Sequence, residues 1–239
     1  MRIAILVPAQ NAIIESEVYR MAPEGITIHF ERLIPKSGLP DRSVPSIVNF
    51  LTELGEDSSR AASVVAMVNP KVIAFGCTSG SFFKGIEHDK EVIKTIEAAS
   101  GIPAITTSTA VIQALEEVKL RRVCLISPYP DFFNEKAKEF LEANGFSVLV
   151  MKSLVSKPGE TAVLPPEAAY DLAESAYTTE CDGVFCSCTE FRTIEILDKF
   201  EKKFDKPMVS ANQATLWLAL RKAGFSKPIA GFGQLLSHT

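Results

Sequence analysis

Pro70-Lys71-Val72-Ile73-Ala74-Phe75-Gly76-Cys77-Thr78 returns 111 residues later as Cys181-Asp182-Gly183-Val184-Phe185-Cys186-Ser187-Cys188-Thr189. Each copy is a short apolar run bounded by turn residues and closed by Cys-Thr, the pattern of a strand buried on both faces of a parallel sheet. Two further pairs flank it. Arg2-Ile3-Ala4-Ile5-Leu6-Val7-Pro8 matches Arg122-Val123-Cys124-Leu125-Ile126-Ser127-Pro128 at an offset of 120, and Ile102-Pro103-Ala104-Ile105-Thr106 matches Lys206-Pro207-Met208-Val209-Ser210 at 104. One such pair could arise by chance among apolar strands; three in the same order predict an internal duplication.

The rest of the chain fits that frame. Strands are expected at Ile3–Val7, Thr27–Leu33, Val72–Gly76, Ala104–Thr106, Arg122–Ser127, Ser147–Met151, Gly183–Cys186, Met208–Ser210 and Ile229–Gly231, alternating with helix-period stretches. The clearest helix carries Val44, Ile47, Val48, Leu51 and Leu54 on one face. Alternation of this kind predicts an α/β fold. It is read as two similar parallel-sheet, Rossmann-like halves related by a pseudo-twofold axis, residues 1–107 plus 213–239 forming the first and 108–212 the second. Equivalent strand ends would then face each other across a crevice, where ligands of open parallel sheets bind.

Composition narrows the function. The 239 residues carry 25 Lys+Arg against 29 Asp+Glu, a formal charge of −4, with no basic cluster to follow a nucleic acid or an anionic membrane. No apolar run approaches the roughly 20 residues of a membrane span, and the first one ends at Pro8, too early for a secretory signal. A cytoplasmic protein is expected, its five cysteines reduced. Cys181, Cys186 and Cys188 lack the paired spacing and histidine partners of a zinc site, so no metal is expected. G-x-G-x-x-G, the phosphate-binding G-x-x-x-x-G-K-[ST] and G-x-S-x-G are all absent, which makes cofactor-free chemistry the default and a serine hydrolase a poor fit.

Cys77 and Cys188 are the candidate reactive groups. Either alone could be a small buried packing residue, but both stand at matched strand ends, each before a small-residue turn. A helix N-terminus after each turn would stabilise a thiolate and receive a carboxylate oxygen, so at least one thiol is expected to ionise easily. Cys124, Cys181 and Cys186 have no such placement. Asn11 and Tyr129 follow equivalent first strands and present neutral donors at the crevice, the alternatives being a helix N-cap for Asn11 and a rim aromatic for Tyr129.

Val7-Pro8-x-x-Asn11, Gly76-Cys77-Thr78-Ser79-Gly80-Ser81, Ser127-Pro128-Tyr129, Ser187-Cys188-Thr189-x-x-Arg192-Thr193 and Ser210-Ala211-Asn212-Gln213-Ala214-Thr215-Leu216-Trp217 together span nearly the whole chain. In these motifs the sequence resembles the aspartate/glutamate racemase superfamily, in its branch of maleate cis-trans isomerases and arylmalonate decarboxylases. The resemblance implies catalytic roles for Cys77 and Cys188 and carboxylate contacts from Asn11, Thr78, Ser79 and Tyr129; backbone N–H groups around Thr78, Ser79 and Thr189 are expected to hold the charge that develops on the activated carboxylate. It also implies a cofactor-independent isomerase of a small carboxylate or dicarboxylate, in a family that tends to form homo-oligomers. An arylmalonate-type decarboxylase, an amino-acid or hydantoin racemase and a non-catalytic carboxylate-binding protein are the alternatives. Four features bear on the choice. Glu190 stands where isomerases often carry an uncharged residue, and a carboxylate-binding asparagine expected before Pro165 is not evident in Lys157-Pro158-Gly159-Glu160. Thr189 is followed by Glu190 rather than the histidine usual in the amino-acid racemases. Arylmalonate decarboxylases keep only the second cysteine, whereas both are present in this chain.

Overall fold

Arg2–Pro8 (β1) is buried from Ile3 onward because a parallel strand is covered on both faces. The remaining elements follow in a computed structural model that describes residues 1–41, 43–155 and 160–237. They are α1 (Ile14–Met21), β2 (Thr27–Leu33), α2 (Val44–Val65), β3 (Ile73–Phe75), α3 (Thr78–Phe82), α4 (Ile86–Ser100), β4 (Ala104–Thr106) and α5 (Thr107–Glu117). The second set comprises β5 (Arg122–Ser127), α6 (Asp131–Ala143), β6 (Ser147–Ser153), α7 (Pro166–Ala176), β7 (Gly183–Cys186), α8 (Leu197–Phe204), β8 (Met208–Ser210), α9 (Ala211–Ala223) and α10 (Gly233–Ser237).

Two parallel four-stranded sheets result, ordered β2-β1-β3-β4 and β6-β5-β7-β8. The repeat seen in the sequence is the register of these sheets. Ala4 pairs with Ile73 and Ile73 with Ala104; at offsets of 120, 111 and 104, Cys124 pairs with Val184 and Val184 with Met208. The copies part at the outer strand, where a bulge between Val123 and Cys124 shifts β6 against β5. At Gly183 the second sheet has no room for a side chain, since a Cβ there would lie 2.3 Å from the Pro207 carbonyl oxygen.

One expected strand is absent: Ile229–Gly231 is irregular. The Ile229 N–H donates to the Leu236 carbonyl at the end of α10, and Gly231 turns the chain at φ +93°, so this segment closes on its own helix instead of extending a sheet. Helix α9 explains how the halves are joined. Ser210 and Gln213 form a capping box at its start, and Ala211 through Leu220 are all buried. It packs on α5 and α1, and the Thr215 and Thr107 hydroxyls meet at 3.0 Å. Among the described residues no helix is long and apolar enough to cross a membrane.

Candidate active site

Both cysteines line one cavity of about 410 Å³ between the C-terminal ends of the two sheets. Cys77 leaves β3 in extended backbone (φ −140°, ψ 107°) and caps α3. The Gly80 backbone and the Ser79 side chain lie close enough to its thiol to favour the thiolate. Gly80 allows this: a Cβ there would stand 2.9 Å from Cys77 Sγ and 3.2 Å from Phe75 Cε1. Gly80→Ala is therefore expected to rotate the thiol out of place. Turnover that depends on Cys77 should drop about 10²-fold at a cost in stability of about 1–3 kcal/mol. Steady-state kinetics beside thermal melting would check this, and unchanged kinetics would refute it.

The second cysteine is held differently from its counterpart. No helix starts after Cys188; Thr189 and Glu190 form a turn, and α8 begins only at Leu197. Cys188 itself sits at φ +138°, a backbone region that non-glycine residues avoid and that stores strain at functional sites. The Glu190 N–H points to its sulfur at 3.4 Å, and the Tyr129 hydroxyl lies close enough to favour its thiolate. The expected helix N-terminus is thus present at Cys77 and missing at Cys188.

Easy ionisation of the thiols is not what the empty cavity provides. Burial pushes Cys77 up to about 11, against the lowering contacts from Gly80 and Ser79, and pushes Cys188 up to about 12, with Glu190 adding to the rise. Five residues of α3 and two weak contacts do not offset the loss of solvation. Burial likewise holds the Tyr129 phenol well above its ordinary value, so it stays a hydrogen-bond donor.

Asn11, Thr78, Ser79, Tyr129 and Thr189 all reach this cavity. Thr78 Oγ1 is buried without a partner, ready for a ligand atom. Asn11 serves two ends: Oδ1 accepts from the Ile13 and Ile14 N–H groups, fixing the start of α1, while Nδ2 donates to Thr189 Oγ1 at 3.0 Å. The Thr189 hydroxyl donates onward to the Gly76 carbonyl, tying the two strand ends together across the crevice. Tyr129 meets the ring edge of Phe82 at 6.1 Å. Of the other cysteines, Cys124, Cys181 and Cys186 are fully buried and none lines the cavity. Lys157, Pro158, Gly159 and His238 lie outside the described residues; His29 and His88 do not line the cavity.

Two residues beneath the site were not singled out from sequence. Glu17 Oε1 accepts from the Thr193 N–H (2.6 Å) and the Ile194 N–H (3.2 Å), and Oε2 accepts from Asn212 Nδ2 (2.8 Å). Asn212 also donates to the Thr189 carbonyl (3.1 Å), so this buried pair grips the turn that carries Cys188 from both sides. A signal existed: Ile14, Glu17, Val18 and Met21 form the buried stripe of α1, and a carboxylate on such a stripe needs donors from elsewhere.

The far wall is apolar, built by Ile47, Phe50 and Leu51 of α2, Phe133 of α6 and Val155. Glu190 also lines the cavity, with Oε1 buried and unpartnered, and no Lys, Arg or His does so among the described residues.

The profile of the arylmalonate decarboxylase family matches residues 42–236. The chain belongs to this family. It is 28% identical over 203 residues to arylmalonate decarboxylase of Bordetella bronchiseptica, covering 83% of this chain and 80% of that protein. Among solved structures, maleate isomerase from Pseudomonas putida S16 with maleate superposes at a TM-score of 0.91, with 20% identity over 100% of this chain and 98% of that one. A Nocardia farcinica maleate cis-trans isomerase mutant, with a covalently bound succinylcysteine intermediate, superposes at 0.88 with 22% identity, covering 99% of this chain and 98% of that one. The arylmalonate decarboxylase family member described here therefore shares its two-sheet fold with the maleate isomerases.

Proposed function

We propose that the protein is a cofactor-independent cis-trans isomerase of a small dicarboxylate, of the maleate isomerase kind, with Cys77 and Cys188 as its catalytic pair. The observation that carries this reading is the meeting of two thiols from equivalent strand ends in a single cavity. The succinylcysteine in the Nocardia farcinica neighbour supports it, because such an adduct is what addition of a cysteine to maleate would leave. On this reading the Cys77 thiol loses its proton to solvent, helped by the Gly80 and Ser79 contacts, and the thiolate adds to one alkene carbon. The electron pair of the double bond moves toward the adjacent carboxylate, and Cys188 protonates the neighbouring carbon. Rotation about the new single bond follows; Cys188 then removes the proton, the double bond re-forms and Cys77 leaves.

Thr78 and Ser79, the remaining N–H of Asn11 Nδ2 and the Tyr129 hydroxyl are assigned to the substrate carboxylates. Residues 1–107 plus 213–239 and residues 108–212 are assigned as the halves that meet there. A cytoplasmic location and a homo-oligomeric state belong to the same proposal.

Proton NMR in D₂O tests the reading: maleate should convert to fumarate with deuterium entering the alkene. No conversion and no exchange, with maleate or with α-chiral acids, would overturn it. A second reading, decarboxylation of a disubstituted malonate, is favoured by the apolar wall. The cavity falls within the roughly 300–1,000 Å³ of drug-sized pockets and exceeds what a four-carbon diacid fills. Carbon dioxide release that survives Cys77→Ala and vanishes in Cys188→Ala would establish it.

A further inference from the structure

The cavity contains an acid with nothing to balance it. Glu190 Oε1 is shielded from solvent without a hydrogen-bond partner, and the carboxyl lies close enough to raise both thiols. Among the described residues, the other titratable groups lining the cavity are neutral or acidic: Cys77, Cys188, Tyr129 and Glu160. The nearby cations among those residues are engaged elsewhere. Arg32 donates to the Asn11 carbonyl and pairs with Glu15, and Arg192 pairs with Glu195.

An ionised Glu190 would face a dianionic ligand at close range with no positive charge from the described residues lining the cavity. A protonated Glu190 would instead donate its O–H to a carboxylate oxygen and satisfy both groups. We propose that Glu190 is a specificity-determining residue that binds a dicarboxylate only as the neutral acid, so that entry of a dianion takes one proton from solution onto the Glu190 carboxyl. This rests on the dicarboxylate reading above. Burial supports it by raising the empty-cavity carboxyl to about 7, close to the form required. The thiols and Tyr129, all held higher, remain protonated across the pH range that matters.

The test is isothermal titration calorimetry with succinate, a saturated diacid that cannot isomerise and is dianionic from pH 7 to 9. Affinity should fall about tenfold per pH unit above pH 7.5. One proton should be taken up per succinate at pH 8.5, read from heats in buffers of different ionisation enthalpy. Glu190→Gln should flatten the profile and bind succinate at least about tenfold tighter than the parent at pH 9, whereas Glu160→Gln should keep the slope. A flat parent profile, or a slope that persists in Glu190→Gln, would overturn the assignment while leaving the dicarboxylate reading in place. Failure to bind succinate even at pH 6 would overturn the dicarboxylate reading itself. Binding of 4-aminobutyrate that strengthens with pH would show Glu190 acting as an anion and would also refute the proposal.

Discussion

Maleate isomerisation is expected to fall about 10³-fold or more in Cys77→Ala and in Cys188→Ala alike. The proposed route needs one sulfur bonded to carbon while the other handles the proton, and neither can do both. Both thiols line the same cavity, and neither Cys124 nor Cys186 can substitute, because they are fully buried inside β5 and β7. Cys124→Ala should therefore retain near-parental turnover. The two losses should also differ in kind. In Cys188→Ser, Cys77 can still add, with water supplying the proton to the neighbouring carbon in place of the thiol, and no thiol remains to remove it, so peptide mass mapping should find one maleate on the Cys77 peptide. Cys77→Ala should carry none. Full turnover by Cys77→Ala would remove the two-cysteine mechanism.

The largest effect on stability is expected at Glu17, which never touches the cavity. Glu17→Ala leaves the Thr193 and Ile194 N–H groups buried without the acceptor they now use, and leaves Asn212 Nδ2 with only the Thr189 carbonyl. A loss of about 3–5 kcal/mol follows, and the Cys188 turn loses its support at the same time. The carboxyl also makes stability depend on pH. Burial raises Glu17 to about 7 from an ordinary 4.5, overriding the lowering effect of its three donors. A carboxyl raised on folding binds a proton in the native state that the unfolded chain has released, so its contribution is fullest below pH 4.5 and is lost as pH rises through 7. Glu190 and Glu201, both raised by burial to about 7, act in the same direction. Urea denaturation at pH 5.5 and 8.5 should show the protein weaker at the higher pH, with a difference of about 2 kcal/mol from Glu17. Glu17→Gln should reduce that difference, and an identical difference in the variant would show that Glu17 does not titrate as described.

The fold was readable in the residues because its signals are local. Five-residue apolar runs, turn residues and the Cys-Thr ending each need only their own neighbours to form a buried strand, and two copies fold alike because they carry the same local pattern. The three offsets even reproduce the pairing of Ala4, Ile73 and Ala104 in Cys124, Val184 and Met208. The same signal misled at Ile229, where the residues suit a strand but the chain turns at Gly231 and bonds back to Leu236 of its own helix. Cys77, Cys188, Asn11 and Tyr129 could be placed at one crevice for a related reason: strand ends in a duplicated parallel sheet have a known destination.

What the residues did not disclose depends on groups far apart in the chain. Glu17 meets Thr193 across 176 positions, and Asn11 meets Thr189 across 178. No window of sequence contains both partners. The missing helix after Cys188 and its φ of +138° have no counterpart at Cys77, and the thiols are raised because the assembled cavity buries them. Glu190 is the clearest case. Sequence alone determined that a carboxylate follows the second Cys-Thr, but only the tertiary structure decided that its Oε1 would be shielded and unpartnered in a cavity that no arginine among the described residues lines. Solvation and charge pairing are set by everything that surrounds a group, and that surrounding is assembled only by the fold.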